Sequence, residues 1–394
     1  MKQHFDCIIA GGGCAGLSLA YYLVEQGYLG DVLILDREQK SNNDRTWCWW
    51  SKSPTPFDSL FTHQWQSLKF ADHSKQRTQS IDPYRYCLLR SADFYHFIQQ
   101  RLALAPNVTW LQSEIESIED AETGAIVRAG GTFFSAEWVF SSIQKLPVVF
   151  APDDKLYQHF AGWWIETAED CFDPSCATIM DFRVPQYGNT RFCYVLPTST
   201  RRALLEFTVF STQLLSKKAY EAALEEYLTN TLQIGYWVVQ EQEFGVIPMQ
   251  IMEPTPKNKQ AHIFQIGTVG GAVKPSTGYA FARIQEQTKQ LAQQLIEQKL
   301  PNPRLNRPKR FEFYDRLLLH ILTQRGDLGA SIFGRLFQQI DFPQILKFLD
   351  EDTQLSEEIG ILASLPPKPF LQAIWESYLG INQLAPLTPK SVYQ

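Results

Sequence analysis

Apolar and polar positions near the start of the chain follow two different periods. A continuous apolar run over residues 5–10 predicts a buried parallel strand, and residues 17–26 have the periodicity of a helix. A second apolar run over residues 32–35 ends at Asp36 and predicts the next strand. The order strand, helix, strand predicts a βαβ unit, which opens an α/β fold with a parallel sheet.

The pattern further along the chain predicts that a second domain interrupts the first. A helix is predicted over residues 92–103, and strands over residues 108–111, 115–118, 125–128 and 137–141. The pattern then becomes β-rich with one helix at 216–228, and an apolar run at 262–267 predicts a strand that returns to the first sheet. A proline-rich joint at 301–308 precedes helical periodicity. Four segments are therefore predicted: 1–145, a β-rich domain at 146–257, a return segment at 258–300 and a helical segment at 301–394.

Between the first strand and the first helix lies a glycine turn with the spacing G-x-G-x-x-G. Gly11 suits a tight turn, Gly13 lets a pyrophosphate approach the backbone, and Gly16 lets the helix pack closely on the strand. Asp36 follows about twenty residues later, where an acid holds a ribose hydroxyl. The turn and the acid together predict a dinucleotide site.

A second glycine-rich loop follows the predicted return strand. Its glycines are Gly267, Gly270, Gly271 and Gly278, and they allow close approach to a phosphate or a flavin ring. Two such loops far apart in one chain are typical of flavoproteins that bind extended FAD. The predicted fold is therefore α/β, with a Rossmann-type FAD-binding domain of the glutathione reductase or hydroxylase kind, a β-rich substrate domain inserted in it, and a C-terminal helical segment.

The amino-acid composition limits the kinds of molecule that the protein is expected to bind. Thirty-six Lys and Arg against 42 Asp and Glu give a net charge of −6, which argues against nucleic acid. Seven scattered cysteines form no disulfide or metal-binding pattern, so we expect a reduced compartment and no metal. The chain starts directly with a strand, without a basic leader, and no run of about eighteen apolar residues occurs. A cytoplasmic protein without a transmembrane helix is expected.

Five short segments resemble the lycopene cyclases of carotenoid-making bacteria. They read NDRTW at residues 43–47, QHFAGW at 158–163, ATIMD at 177–181, YVLP at 194–197 leading to LLEFT at 204–208, and IGTVGGAVKPSTGYAF at 266–281. Their order also matches the family. The family strand often carries a second acid after its glutamate, and here that position is Phe207. A proton shared between adjacent carboxylates is therefore not expected.

The resemblance implies a chemistry without net redox change. Both ends of lycopene would close into β-ionone rings, giving β-carotene by way of γ-carotene, and the same family accepts other acyclic or monocyclic carotenes. Reduced FAD would act as a non-redox cofactor, with NADPH or NADH as the external reductant. Glu206 is the expected proton donor, because it lies in an apolar strand and matches the catalytic glutamate of the family. An ion pair with Arg202 at a sheet edge is its alternative role.

Other candidates have two interpretations each. Asp181 is a helper acid or a strand-end turn former, and Trp163 and Trp164 shield a carbocation or are core aromatics. Arg45 contacts a FAD phosphate or is a solvated charge.

A lipid-borne polyene implies peripheral attachment to the inner face of the cell membrane. Apolar stripes at helical spacing in the C-terminal segment are candidates for it, although such stripes also form cores: Leu317, Leu318, Ile321, Ile332, Phe333, Leu336, Phe337, Ile345, Phe348 and Leu349.

Two other classes of function remain open. One is a redox flavoenzyme, either a monooxygenase or a prenyl or carotenoid reductase; hydroxylases of that kind usually carry an Asp-Gly pair where this chain reads VFSS at residues 139–142. The other is a non-catalytic flavin or carotenoid carrier, for which a buried Glu206 has no purpose.

Overall fold

The computed structural model describes residues 3–143, 156–251 and 262–379. The first of these ranges contains two helices and a series of mostly short strands. They are β1 (His4–Ala10), α1 (Cys14–Glu25), β2 (Val32–Asp36), β3 (Thr46–Ser51), β4 (His63–Trp65), β5 (Ser67–Ala71), β6 (Gln76–Ser80), β7 (Arg85–Arg90), α2 (Ser91–Leu102), β8 (Val108–Gln112), β9 (Ile115–Ala121), β10 (Gly124–Ala129) and β11 (Thr132–Ser141).

The two later ranges contain longer strands and then helices. They are β12 (Tyr157–Thr167), β13 (Cys176–Asp181), β14 (Thr190–Pro197), β15 (Arg202–Ser211), α3 (Lys217–Glu226), β16 (Trp237–Pro248), β17 (Ile263–Gln265), α4 (Phe281–Ile296), α5 (Lys309–Gln324), α6 (Gly329–Gln339), α7 (Phe342–Leu349), α8 (Leu355–Ser364) and α9 (Pro367–Leu379).

The first sheet is built on the predicted βαβ unit. Its strand order is β8-β2-β1-β11-β10-β9, with β17 beside β11, and the strands β8, β2, β1, β11 and β17 run parallel. The interrupted α/β fold is therefore confirmed, including the returning strand. The strands β8 and β9 are neighbours in sequence but lie at opposite ends of this path, because each pairs with a different partner.

The second sheet forms the β-rich domain. Its order is β16-β12-β15-β14-β13-β5-β6, so strands from residues 67–80 join strands from residues 157–248. A small third sheet, β3-β7-β4, is formed by residues between β2 and β8 of the first sheet. The predicted domain boundaries at 145/146 and 257/258 lie outside the described residues.

The two faces of the second sheet belong to different apolar clusters. Leu205 and Phe207 pack with Tyr220 and Leu224 of α3. Leu204 of β15 belongs to the other cluster, which also contains side chains of β7 and of the helices α5 to α7. Alternate residues of one strand thus face two environments.

The C-terminal stripes mostly belong to the core. Ile321, Ile332 and Ile345 are buried, Leu318, Phe348 and Leu349 are partly buried, and most of the set packs against the second sheet. As a docking surface this prediction is wrong, because the helical period reflects burial within the protein. Most of the exposed apolar side chains in the described part of this segment are instead on α8 and α9: Leu355, Ile359, Leu362, Leu371 and Trp375; Phe313 of α5 is also exposed.

A buried ion network joins the second glycine-rich loop to these helices. Lys274 Nζ lies 2.8 Å from Asp315 Oδ2 and 2.9 Å from Glu351 Oε1. Arg283 also pairs with Glu351 at 2.8 Å, and the Ser276 hydroxyl donates to Asp315 Oδ1 at 2.7 Å. The C-terminal segment is therefore anchored to the loop by charges removed from water.

We expect Lys274→Met to destabilise the fold by about 3–5 kcal/mol, because it leaves buried carboxylates without their shared cation. Lys52→Met is the control, since Lys52 pairs with Asp352 at 2.6 Å on the surface, where about 0–1 kcal/mol is expected. Denaturant unfolding of both variants measures the difference, and equal losses would contradict the expectation.

Candidate active site

The glycine turn leaves the start of α1 open to an anion. A Cβ at Gly16 would lie 1.9 Å from the Gly11 carbonyl oxygen, whereas a Cβ at Gly13 would meet no atom within 4 Å. Gly13 caps α1 without a side-chain hydrogen bond, and the first turn carries no acid. The Gly12 N–H donates to Asp36 Oδ2 at 2.6 Å, so the acid lies beside the turn. These features fit the pyrophosphate and ribose of a dinucleotide.

The second loop meets both domains. Gly267, Gly271 and Gly278 have positive φ, and a Cβ at Gly267 would lie 2.7 Å from the Ala15 side chain in α1. A Cβ at Gly270 would lie 2.3 Å from the Gln265 carbonyl oxygen.

On the other side, the loop approaches the second sheet. A Cβ at Gly278 would lie 2.8 Å from Gln158 Oε1, a buried oxygen that has no hydrogen-bond partner among the described residues. An unpaired acceptor beside a loop of this geometry fits the N–H groups of a flavin ring.

Glu206 lies in the middle of β15 and faces the enclosed side of the second sheet. It is opposite Tyr194 on one neighbouring strand and opposite Gly162 on the other. The Thr208 hydroxyl donates to Glu206 Oε1 at 2.8 Å. The alternative role, an ion pair with Arg202, is not supported, since Arg202 pairs instead with Glu241 at 3.9 Å.

A second carboxyl group, Glu243 of β16, faces the same space. Gly162 of β12 stands between the two acids, with Glu243 opposite it on one side and Glu206 on the other. A Cβ at Gly162 would lie 2.8 Å from Glu243 Cγ and 3.0 Å from Glu243 Oε1. The missing side chain therefore gives the Glu243 carboxyl room to lie over β12, and the Thr46 hydroxyl donates to its Oε2 at 2.7 Å.

Both acids are held towards their neutral forms. Burial, followed by the nearby Glu243 carboxyl, raises the pKa of Glu206 to about 8, against the opposing hydrogen bond from Thr208. Burial raises the pKa of Glu243 to about 7; Thr46, Arg45 and Arg90 lower it, and Glu241 raises it. A carboxyl group with such a pKa is a usable proton donor near neutral pH.

Three tyrosines line the space beside Glu206. Tyr86 and Tyr279 have their hydroxyl oxygens 3.0 Å apart, and Tyr194 hydrogen-bonds to Tyr279. Burial raises the pKa of all three phenols, so they remain neutral. Trp50 packs edge-on against Tyr279 at 4.7 Å. Neutral aromatic rings around a carboxylic acid can stabilise a cation without trapping it.

The two candidate tryptophans of β12 face opposite sides. Trp164 lies on the Glu206 face, opposite Leu204, with the Arg90 and Arg202 guanidinium groups 5.8 and 5.4 Å from its ring. Trp163 lies on the other face and packs in the cluster covered by α3. The structure therefore brings Trp164, and not Trp163, to the side of the acid.

Asp181 also lies away from Glu206. It is buried, its carboxylate takes a bidentate ion pair from Arg183 at 2.6–3.2 Å, and it accepts the Tyr227 hydroxyl at 2.7 Å. Tyr227 belongs to the cluster on the α3 face. These contacts favour a structural role for Asp181.

Arg45 is exposed at the start of β3, and its guanidinium donates to the Asp44 carbonyl at 2.6 Å. Its charge lowers the pKa of Glu243, so it lies near the acids. Contact with a cofactor phosphate remains a prediction.

The fold and the glycine turn are those of the FAD-binding α/β class. The chain resembles solved structures at low identity: a flavoprotein/dehydrogenase from Cytophaga hutchinsonii (TM-score 0.62, 10% identity, covering 95% of this chain and 100% of that one) and a geranylgeranyl bacteriochlorophyll reductase-like protein from Thermoplasma acidophilum (0.59, 13%, 97% and 98%). A third is the myxobacterial FAD-dependent chondrochloren halogenase (0.54, 13%, 97% and 91%).

The family is more specific than the fold. The model of the lycopene cyclase protein family matches residues 6–374, and the chain belongs to this family. It is 22% identical over 296 residues to a lycopene beta-cyclase of Pantoea ananas, covering 71% of this chain and 72% of that protein. The family resemblance predicted from the five segments is thus confirmed.

Sequence reasoning missed Glu243 and the tyrosines. Glu243 ends a run of four polar residues, 240–243, which is typical of a solvated edge strand. The signal that could have identified it is Gly162, which lies in a family segment on another strand. Only the strand register places these two residues side by side.

Gly13→Val should abolish flavin binding while leaving the apoprotein folded, because a Cβ there meets no protein atom within 4 Å and points into the space expected for pyrophosphate. Gly235→Val is the matched control, since its Cβ position is also open but lies far along the chain from the turn. Flavin absorbance and circular dichroism report the two properties, and full flavin occupancy in Gly13→Val would refute the site.

Proposed function

We propose that this protein is a lycopene β-cyclase that converts lycopene to β-carotene through γ-carotene, with reduced FAD as a non-redox cofactor. The single observation that carries the proposal is the Glu206 carboxyl, whose raised pKa favours its neutral form and which lies beside a group of tyrosine side chains. The chain that contains it belongs to the lycopene cyclase family. Four of the five family segments converge here, through Thr46, Gly162, Glu206 and Tyr279.

The proposed reaction makes three demands on the site. A terminal double bond must be protonated, the next double bond must attack the tertiary carbocation, and a ring proton must leave. An alkene is a weak base, so the donor must be a carboxylic acid held away from water. Glu206 supplies the acid, and Tyr194, Tyr279 and Trp50 supply ring faces for the cation, each worth up to about 2 kcal/mol when desolvated.

The cofactor enters the proposal through its charge. Reduced, anionic flavin supplies a negative charge that stabilises the cationic transition state. The two glycine loops would hold the pyrophosphate and the flavin ring, and NADPH or NADH would serve as the external reductant. The solved structures of similar fold include redox enzymes, so a flavin-dependent oxidation or reduction is the competing function that the first test separates.

Attachment to a membrane is part of the same proposal, since a C40 polyene resides in the bilayer. Across the described residues, none of the helices combines the length and apolar character needed to cross a bilayer. Ile359 of α8 and Trp375 of α9 are 69% and 65% exposed. We propose that these two helices dock on the lipid surface from which the substrate is drawn.

Purified protein with pre-reduced FAD should convert lycopene over many turnovers in the absence of oxygen, without consuming nicotinamide, because the product is an isomer of the substrate. Pigment analysis and mass measurement check this. A product of altered mass, or oxidation of one nicotinamide per ring, would identify a redox enzyme; an unaltered pigment that stays bound would identify a carrier.

Glu206→Gln should retain FAD but lose ring formation by roughly 10²- to 10⁴-fold, the usual effect of removing a general acid or base. Glu206→Asp should keep a fraction of the activity. Glu166→Gln, on the exposed end of β12, is the control. Normal cyclisation by flavin-loaded Glu206→Gln would refute the role.

The pH dependence of cyclisation should follow the raised pKa of Glu206. The donor must be protonated, so the rate should decrease as the pH rises through about 8. Initial rates measured across this range, with flavin content checked at each pH, test the direction. A rate that rises through pH 8 would contradict the assignment of Glu206 as the donor.

Replacing Ile359 and Trp375 together by serine should weaken binding to vesicles of phosphatidylethanolamine and phosphatidylglycerol by roughly ten-fold or more, because apolar surface no longer leaves water. Leu29→Ser is the control, since Leu29 is 92% exposed before β2. Co-sedimentation measures the binding; equal effects of both changes would exclude α8 and α9 as the docking face.

A further inference from the structure

Glu206 accounts for the first proton transfer of the proposed reaction, to the terminal double bond. The last step, removal of a proton from the ring, needs a second group as the base. Cyclisation adds a proton at one carbon of the end group and takes a proton from the ring carbon that bears the polyene chain. Both carbons belong to the same small ring, so donor and acceptor must reach one confined volume. In the described part of the chain, Glu243 faces that volume together with Glu206.

We infer that Glu243 is the general base of the reaction and shares one proton with Glu206 across the gap at Gly162. This inference rests on the proposed function. Three features position Glu243. The strand register places it opposite Gly162, the absence of a Cβ at Gly162 leaves room for its side chain, and the Thr46 hydroxyl donates a hydrogen bond to its Oε2. Oε1 is the oxygen that lies over β12, on the side of Glu206.

The surroundings of the two acids give them different roles. Cations face Glu243, namely Arg45 and Arg90, and both favour its carboxylate, whereas Glu241 on the same strand opposes it. Around Glu206, burial and the Glu243 carboxyl favour the neutral form, against the hydrogen bond from Thr208. With one proton shared between two nearby carboxyls, the proton therefore resides mainly on Glu206.

The proton balance closes over one ring. The Glu206 proton adds to the terminal double bond, the cation forms a carbon–carbon bond with the electrons of the second double bond, and the positive charge moves to the next tertiary carbon. The ring proton then passes to the Glu243 carboxylate, and its bonding electrons form the ring double bond. Transfer of this proton from Glu243 to Glu206 restores the starting state without any external acid or base.

The test is Glu243→Gln, with pigments separated by ring type and rates normalised to bound flavin. Without the base, β-ring formation should decrease by roughly 10²- to 10⁴-fold. The cyclic products that remain should shift towards isomers in which the cation lost a proton from another adjacent carbon. A residue that only adjusted the acidity of Glu206 would change the rate without changing the ring isomer.

Two further variants keep the test decisive. Gly162→Ala displaces the Glu243 side chain without removing its carboxyl, and should give the same change of ring isomer. Glu241→Gln, two residues away on β16 and paired with Arg90, should leave the isomer unchanged. Unaltered β-ring formation by either Glu243→Gln or Gly162→Ala overturns the inference. If the unmodified protein forms no cyclic isomer, the proposed function itself fails, and the inference with it.

Discussion

The arrangement of this molecule depends on keeping carboxyl groups away from water. A carboxylate in an apolar interior is strongly unfavourable unless it is paired, so a carboxyl group placed there without a cation keeps its proton. Among the described residues, Glu206 and Glu243 have no ion pair on their oxygens and their pKa values are raised to about 8 and about 7, whereas Asp181 and Glu351 have arginine or lysine within 3 Å. The same fold therefore contains buried acids of two kinds, and Glu206 and Glu243 are two unpaired acids that face one space.

The sequence was sufficient to predict the nucleotide-binding half of the fold. The period of the apolar residues and the glycine spacing are local signals, and the strands β1, β2, β10, β11 and β17 lie within a few residues of the predicted positions. The small sheet and the strands β5 and β6 were missed, because β3 pairs with β7 and β5 pairs with β13 across long stretches of sequence, and β6 is polar throughout. Helical stripes in the C-terminal segment could not be assigned to core or surface, since both give the same period.

The residues of the site also fall into those that a local sequence signal predicts and those that only the folded structure brings together. Glu206 could be predicted because an acid in an apolar strand is conspicuous within a few residues. Glu243 and Tyr86 could not, because their neighbours in space are on other strands. Asp181 and Trp163 illustrate the converse: each lies in a family segment, but β13 and β12 turn their side chains to the α3 face. A motif identifies a strand, and the alternation of its side chains decides which residues reach the site.

The row formed by Glu243, Gly162 and Glu206 is fixed by main-chain hydrogen bonds between three adjacent strands, and the irregularity between Trp164 and Ile165 sets the pairing of β12 with β16. Substitution of side chains around this row alters its chemistry gradually. Insertion or deletion of a single residue within β16 would instead turn Glu243 to the opposite face, since strand side chains alternate with a period of two. Substitutions of the side chains around this row are therefore compatible with its geometry, whereas a change in the length of β16 is not.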